Sequence, residues 1–169
     1  ITKYGYPPKA ENTIKYIEEM YDLGFSSIEL EGIREQHLLE VYKIRFEIKD
    51  KLAELKMNVP YFCAVLPGLS SSDSVVRNKN LKLFEKGCEI AHCIGAKGIL
   101  DNAPLPPYQF PKDIPIVRHY NEKVLQTAQF PSHLNWNKYW TDLTETIRTA
   151  CEIANSKRLT YQMHPCLGV

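Results

Sequence analysis

The sequence predicts an α/β fold, a (β/α)8 barrel of which about five of eight units are present, and three observations carry that reading. Short β-forming runs alternate with amphipathic helical stretches along the whole chain, which calls for right-handed crossovers and a parallel sheet. No Gly-x-Gly-x-x-Gly follows any of those runs and no Walker glycine loop occurs, so a nucleotide-binding doubly wound sheet is the weaker alternative. A closed barrel takes about 250 residues, whereas this chain has 169. Residues 1–169 therefore read as one partial barrel domain, with an open sheet as the other outcome.

The first element is the end of a strand running into a turn, because Gly5, Pro7 and Pro8 exclude a helix over residues 1–8. Over 10–23, Ile14, Ile17 and Tyr21 recur at helical spacing, predicting a surface helix with one buried face. Gly24 supplies the positive φ of its C-cap. The next strand, 27–31, alternates Ile28 and Leu30 with Glu29 and Glu31. In a parallel barrel the apolar pair faces the helices and the acids face the interior, near the end where such folds keep their chemistry. A single helix is expected over 36–56, its stripe made by Leu38, Val41, Ile48, Leu52 and Leu55 and its charges a solvated face.

Residues 58–65 form the next strand, with Pro60 tolerable near its start. Ser71, Ser72 and Asp73 offer N-cap oxygens for a helix over 74–94 striped by Val76, Leu83, Ile90 and Ile94. The strand 98–101 ends in Asp101 and Asn102. A long loop then occupies about 103–134; six prolines break it, while Tyr108, Phe110, His119, Tyr120 and Phe130 favour a packed segment over a disordered one. A helix over 136–154 is expected to bury Trp136, Trp140, Leu143, Ile147 and Ala150. Residues 158–164 make the last strand.

Composition bounds the function. With 21 Lys plus Arg against 20 Asp plus Glu, the net charge of +1 offers no field for nucleic acid or a membrane surface. No apolar run reaches the roughly eighteen residues that span a bilayer, and no signal pattern opens the chain, although Ile1 in place of Met leaves an earlier segment open. Five cysteines without a Cys-x-x-Cys pair read as mostly buried reduced thiols, and the expected location is cytoplasmic. A homo-oligomer is compatible with all of this.

Residues 23–30 (Leu-Gly-Phe-Ser-Ser-Ile-Glu-Leu), 94–99 (Ile-Gly-Ala-Lys-Gly-Ile) and 159–165 (Leu-Thr-Tyr-Gln-Met-His-Pro) resemble the second, fourth and fifth strands of the xylose isomerase-like TIM barrels. That family includes sugar-phosphate isomerases and epimerases, ketose 3-epimerases, inosose dehydratases and endonuclease IV. The resemblance covers nearly the whole chain. It implies a metal-dependent isomerase or epimerase of a small sugar or sugar phosphate, working in carbohydrate metabolism by proton transfer next to a carbonyl. The alternatives are an inosose-type dehydratase acting on a cyclitol, towards which Tyr161-Gln162-Met163-His164 leans, or a non-catalytic sugar-binding barrel. A divalent metal is implied, with Mn²⁺, Zn²⁺, Mg²⁺ and Co²⁺ left open.

Catalytic roles are expected at Glu31, for its place near the strand end, and at His164, and substrate contacts at Glu29, Asn102, Tyr108 and Gln162. Gln162 stands where many relatives carry a metal-binding Glu. Its neutral amide ligates weakly and takes no proton at neutral pH, so it is a metal candidate whose companion ligands are expected outside this chain. Plainer readings stand beside these: Glu29 as a structural acid inside the barrel, Asn102 as a loop cap, Tyr108 as packing, and His164 as a polar residue closing a strand. His37, His92 and His133 are read as surface residues.

Overall fold

A computed structural model describes residues 3–101, 126–127 and 129–164. Within these, a short 3-10 turn, Ala10–Asn12, leads into α1, Thr13–Asp22. The remaining elements are β1, Leu30–Ile33; α2, Arg34–Lys43; α3, Arg45–Glu54; β2, Tyr61–Val65; α4, Ser74–Cys93; β3, Gly98–Asp101; α5, Trp136–Ser156; and β4, Thr160–Met163. A second 3-10 turn, Pro67–Ser70, joins β2 to α4. The four strands lie in one parallel sheet in chain order. Each is followed by helix where the chain is described, as the alternation predicts for part of a barrel.

The alternation of each strand splits the apolar side chains between two faces. Leu30, Phe62, Ala64 and Ile99 join Leu38, Val41, Ile48, Phe84, Ile90 and Ala150 in the core between sheet and helices. The opposite face carries a smaller cluster of Ile33, Cys63 and Val65 with Tyr6 and Leu100 against it. Gly32 sits where β1 meets α2 most closely: a Cβ there would lie 2.9 Å from the Phe62 ring and 3.0 Å from Leu38. A side chain at that position would hold the helix off the sheet.

Several sequence expectations are corrected. The strand expected at 27–31 runs instead from Leu30 to Ile33, because parallel pairing with β2 continues to Ile33 opposite Val65; Ser27 keeps an isolated bridge to Asn58. Glu31 is therefore within the strand, and the chain turns straight into α2 through Arg34, at φ 56°. The one helix expected over 36–56 is two, broken at Ile44. There the Arg45 guanidinium donates to the Tyr42 carbonyl at 2.7 Å and lies 3.9 Å from the Tyr42 ring and 4.3 Å from Phe46, occupying a carbonyl the helix would otherwise use.

On α5 the buried stripe is Tyr139, Leu143, Thr146, Ala150 and Ala154. Trp136 and Trp140, expected inside, are 43% and 57% exposed. The helix is rolled so that Tyr139 packs inward, and the two tryptophans lie beside it in edge-to-face contact, 5.9 Å away. Tyr21 and Val76, also expected inside, are exposed. Among the described cysteines Cys63 and Cys88 are buried, Cys93 is half-buried and Cys151 exposed, and none of the four is in a disulfide. No described helix is long and apolar enough to cross a membrane.

Candidate functional site

The register across the sheet places the sequence-predicted residues. Glu31 pairs with Cys63, Cys63 with Leu100, and Leu100 with Gln162, so the four form one row on the face turned away from the helices. Glu29 lies two residues earlier on the same face, and alternation carries His164 to that face one row beyond Gln162. The His164 amide donates to the Asp101 carbonyl at 2.9 Å, which continues the β4 ladder to that point. Glu31, Gln162 and His164 thus share one face of one sheet. They are not adjacent: Glu31 and Gln162 lie on the first and last strands, three strand spacings or about 14 Å apart along the sheet.

Exposure grades along this face. Cys63 is 1% exposed, Glu31 is half-buried, and Glu29, Gln162 and His164 are exposed. Asn102 and Tyr108 lie outside the described residues.

The geometry also creates a group that the sequence reading did not assemble. One ligand atom from each of Glu29, Glu31 and Cys63 comes within 4.8 Å of the others. The two acids follow from i, i+2 spacing on β1, while the thiol comes from the neighbouring strand through the Glu31–Cys63 register. Alternation within Ser-Ile-Glu-Leu-Glu pairs the acids; nothing local in the sequence brings Cys63 to them. Two carboxylates and a thiolate are a donor set suited to a thiophilic divalent ion such as Zn²⁺. Gln162, the sequence-predicted ligand, is across the sheet from this group.

Two buried polar residues hold the strand ends around the site, and neither was singled out as doing so. His37, expected at the surface, is 5% exposed, and its Nδ1 accepts the Ile33 amide at 3.0 Å. That bond fixes Nδ1 as an acceptor and secures the last residue of β1 on the first turn of α2. Burial lowers the His37 pKa, opposed by the nearby Glu40 charge, which keeps the ring neutral and the acceptor available. Asp101, at the end of β3, is 3% exposed and accepts the Tyr161 hydroxyl at 3.0 Å. It shares the helix-facing parity of Ile99, so it points away from the row of Glu31 and Gln162. Burial pushes its carboxyl up to about 6, against the lowering effect of the Tyr161 hydrogen bond.

The same sheet and helix arrangement recurs in solved sugar epimerases. An L-ribulose 3-epimerase matches 92% of this chain at 14% identity with a TM-score of 0.60, and the match covers 44% of that protein. A D-psicose 3-epimerase from Clostridium cellulolyticum H10, solved with D-tagatose, matches 88% of this chain at 14% identity and a TM-score of 0.59, covering 45% of its own length. A 3-keto-D-glucoside 4-epimerase from E. coli matches 93% of this chain at 18% identity and a TM-score of 0.60, covering 51% of its own length. The chain spans about half the length of these structures. No protein-family model matches the sequence, and no curated protein matches it by sequence search. At these identities the likeness shows the fold, a partial TIM barrel, in agreement with the sequence resemblance to xylose isomerase-like barrels.

Proposed function

We propose that this chain forms part of an isomerase or epimerase acting on a small sugar or sugar phosphate by moving a proton at the carbon beside a carbonyl. The observation that carries the reading is the row of Glu31, Cys63, Leu100 and Gln162 on the open face of a parallel sheet that superposes on three sugar epimerases. In a parallel barrel this is the face that turns towards the interior, and substrates bind at its C-terminal rim; His164 lies towards that rim, while Ile33 and Val65 lie between it and Glu31 and Cys63.

In this reading Glu29 and the Gln162 amide hold substrate hydroxyl groups from opposite edges of the same sheet face. Glu31 takes the proton from carbon through a carboxylate oxygen, and His164 hydrogen-bonds the carbonyl oxygen as negative charge grows on it. Glu29, Glu31 and Cys63 are the residues that would hold a divalent cation. Bound there, the cation would polarise the substrate carbonyl and make the neighbouring C–H more acidic. A carboxylate has two oxygens, so Glu31 can serve a cation through one and accept a proton through the other.

The test is solvent-deuterium exchange at carbon, followed by NMR on a panel of ketoses and ketose phosphates, with and without Mn²⁺ or Zn²⁺. Exchange is expected at a single carbon next to the carbonyl, and Glu31→Gln is expected to slow it by about 10²- to 10⁴-fold. Failure of every ketose to exchange under saturating metal would leave a sugar-binding barrel without turnover as the better reading. The cation assignment has its own readout: Cd²⁺ titration gives a near-ultraviolet sulfur-to-cadmium band that Cys63→Ser removes. A band that survives that substitution places the ion on another thiol.

A further inference from the structure

Beside the N-terminal ends of β2 and β3 lies a cavity of about 570 Å³, within the volume range of small-molecule pockets. Its floor is apolar and well packed: Leu52, Met57, Val59 and Ile94 are 3%, 6%, 4% and 8% exposed. Its charged lining is of one sign among the described residues, since Lys49 and Lys97 border it and no described carboxylate does. Neither ammonium group is engaged in an ion pair among the described residues.

Compensation of helix dipoles does not account for these lysines. The basic residue in the last turn of α3 is Lys51 and that of α4 is His92. The terminal carbonyls beside the cavity are taken by backbone donors, from Lys56 and Met57 on α3 and from Gly95 and Ala96 on α4. Two uncommitted cations above a buried apolar floor are complementary to a ligand that is apolar along its body and anionic at one end.

We propose that this cavity binds a small amphiphilic anion, a carboxylate or phosphate head on a hydrocarbon or aryl body. The body lies over Met57, Val59 and Ile94, and the head sits between the Lys49 and Lys97 ammonium groups. The cavity lies before the strands, at Pro60 and Lys97 where β2 and β3 begin, whereas the row of Glu31, Cys63 and Leu100 lies farther along them; Glu29, two residues after Ser27, is the sugar-site residue nearest to it along the chain. The proposal therefore stands independently of the epimerase reading.

The test titrates octanoate, phenyl phosphate and, as the neutral counterpart, octanol into the full chain, following the backbone amide signals of Ser27, Ala53 and Gly95 by NMR. Octanoate or phenyl phosphate is expected to shift these signals saturably, and the tighter of the two identifies the preferred head group. Lys49→Gln and Lys97→Gln are each expected to weaken binding by about two- to five-fold, the range of a partly exposed ion pair. Ala53→Phe, which fills the cavity from the exposed face of α3, is expected to abolish the saturable shifts while leaving the far-ultraviolet circular dichroism unchanged. Octanol binding as tightly as octanoate, or saturable shifts that persist in folded Ala53→Phe, would overturn the proposal, as would the absence of saturable shifts with both anions.

Discussion

Among the described residues Asp101 carries the clearest pH dependence. Its carboxyl is 3% exposed, and burial raises its pKa from 3.8 to about 6. Between those values the unfolded chain has released the proton while the folded chain still holds it. The folded state then binds more protons, so this group's contribution falls as pH rises from about 4 to about 6 and is constant above that. A shift of this size corresponds to about 3 kcal/mol, as an order of magnitude. Asp101→Asn keeps an acceptor for the Tyr161 hydroxyl and removes the titration. Relative to the parent chain, the variant is expected to gain stability across that interval, measured by urea unfolding at several pH values. A stability difference that stays flat from pH 4 to pH 7 would show that Asp101 does not titrate in that interval. No sequence pattern points to this pair, because Asp101 and Tyr161 are 60 residues apart and meet only through the pairing of β3 with β4. His37 is a similar case: its spacing on α2 is visible in the sequence, but the direct strand-to-helix turn that puts it under the Ile33 amide is not.

Four of the described helices end in one hydrogen-bond pattern. After α1 the Gly24 amide bonds to the Tyr21 carbonyl and the Phe25 amide to Met20; after α4 Gly95 bonds to His92 and Ala96 to Ala91. After α3 Lys56 bonds to Ala53 and Met57 to Leu52, and after α5 Arg158 bonds to Asn155 and Leu159 to Ala154. This is the Schellman closure, which needs a left-handed residue at its first outside position. Gly24 and Gly95 supply it at φ 88° and 76°, whereas Lys56 and Arg158 are held at 53° and 59°, where a Cβ is unfavourable. Lys56→Gly and Arg158→Gly are each expected to stabilise the fold by about 0.5–1 kcal/mol, the relief of the left-handed residue less the added freedom of the unfolded chain. Thermal unfolding of the single and double variants measures this; a lowered Tm in both would mean that their side chains hold more than the turn. Glycine made two of these ends legible in the sequence. The break at Ile44 was not, because it depends on the Arg45 guanidinium reaching a backbone carbonyl between two tightly placed rings. The roll of α5 was hidden for a related reason: its tryptophans fit an apolar stripe by type, yet Tyr139, one position round, is the ring that packs inward.

At the level of the whole molecule, the alternation of strands and helices already implied a parallel sheet, and the i, i+2 spacing of Glu29 and Glu31 already implied a shared face. What alternation leaves open is register, since a slip of one residue would turn every side chain over. Register is what sets Cys63 beside Glu31 and leaves Gln162 three strands away. It also fixes which β4 amides are committed. Thr160 and His164 donate to Lys97 and Asp101 on the β3 side, so in an evenly spaced parallel ladder Gln162 donates there as well, and the Tyr161 and Met163 amides point to the outer edge. No strand pairs with that edge among the described residues. Hydrogen exchange on the 169-residue chain is therefore expected to alternate along β4, slow at Gln162 and His164 and fast at Tyr161 and Met163. Exchange should be slowest in β2 and β3, which pair on both sides and hold Phe62, Ala64 and Ile99 at 0% exposure. Equal protection at Tyr161 and Gln162 would mean that another strand is bonded to β4, supplied by another part of this chain or by a second copy. The sheet would then be wider than four strands, and the open face bearing Glu31 and Gln162 correspondingly more enclosed.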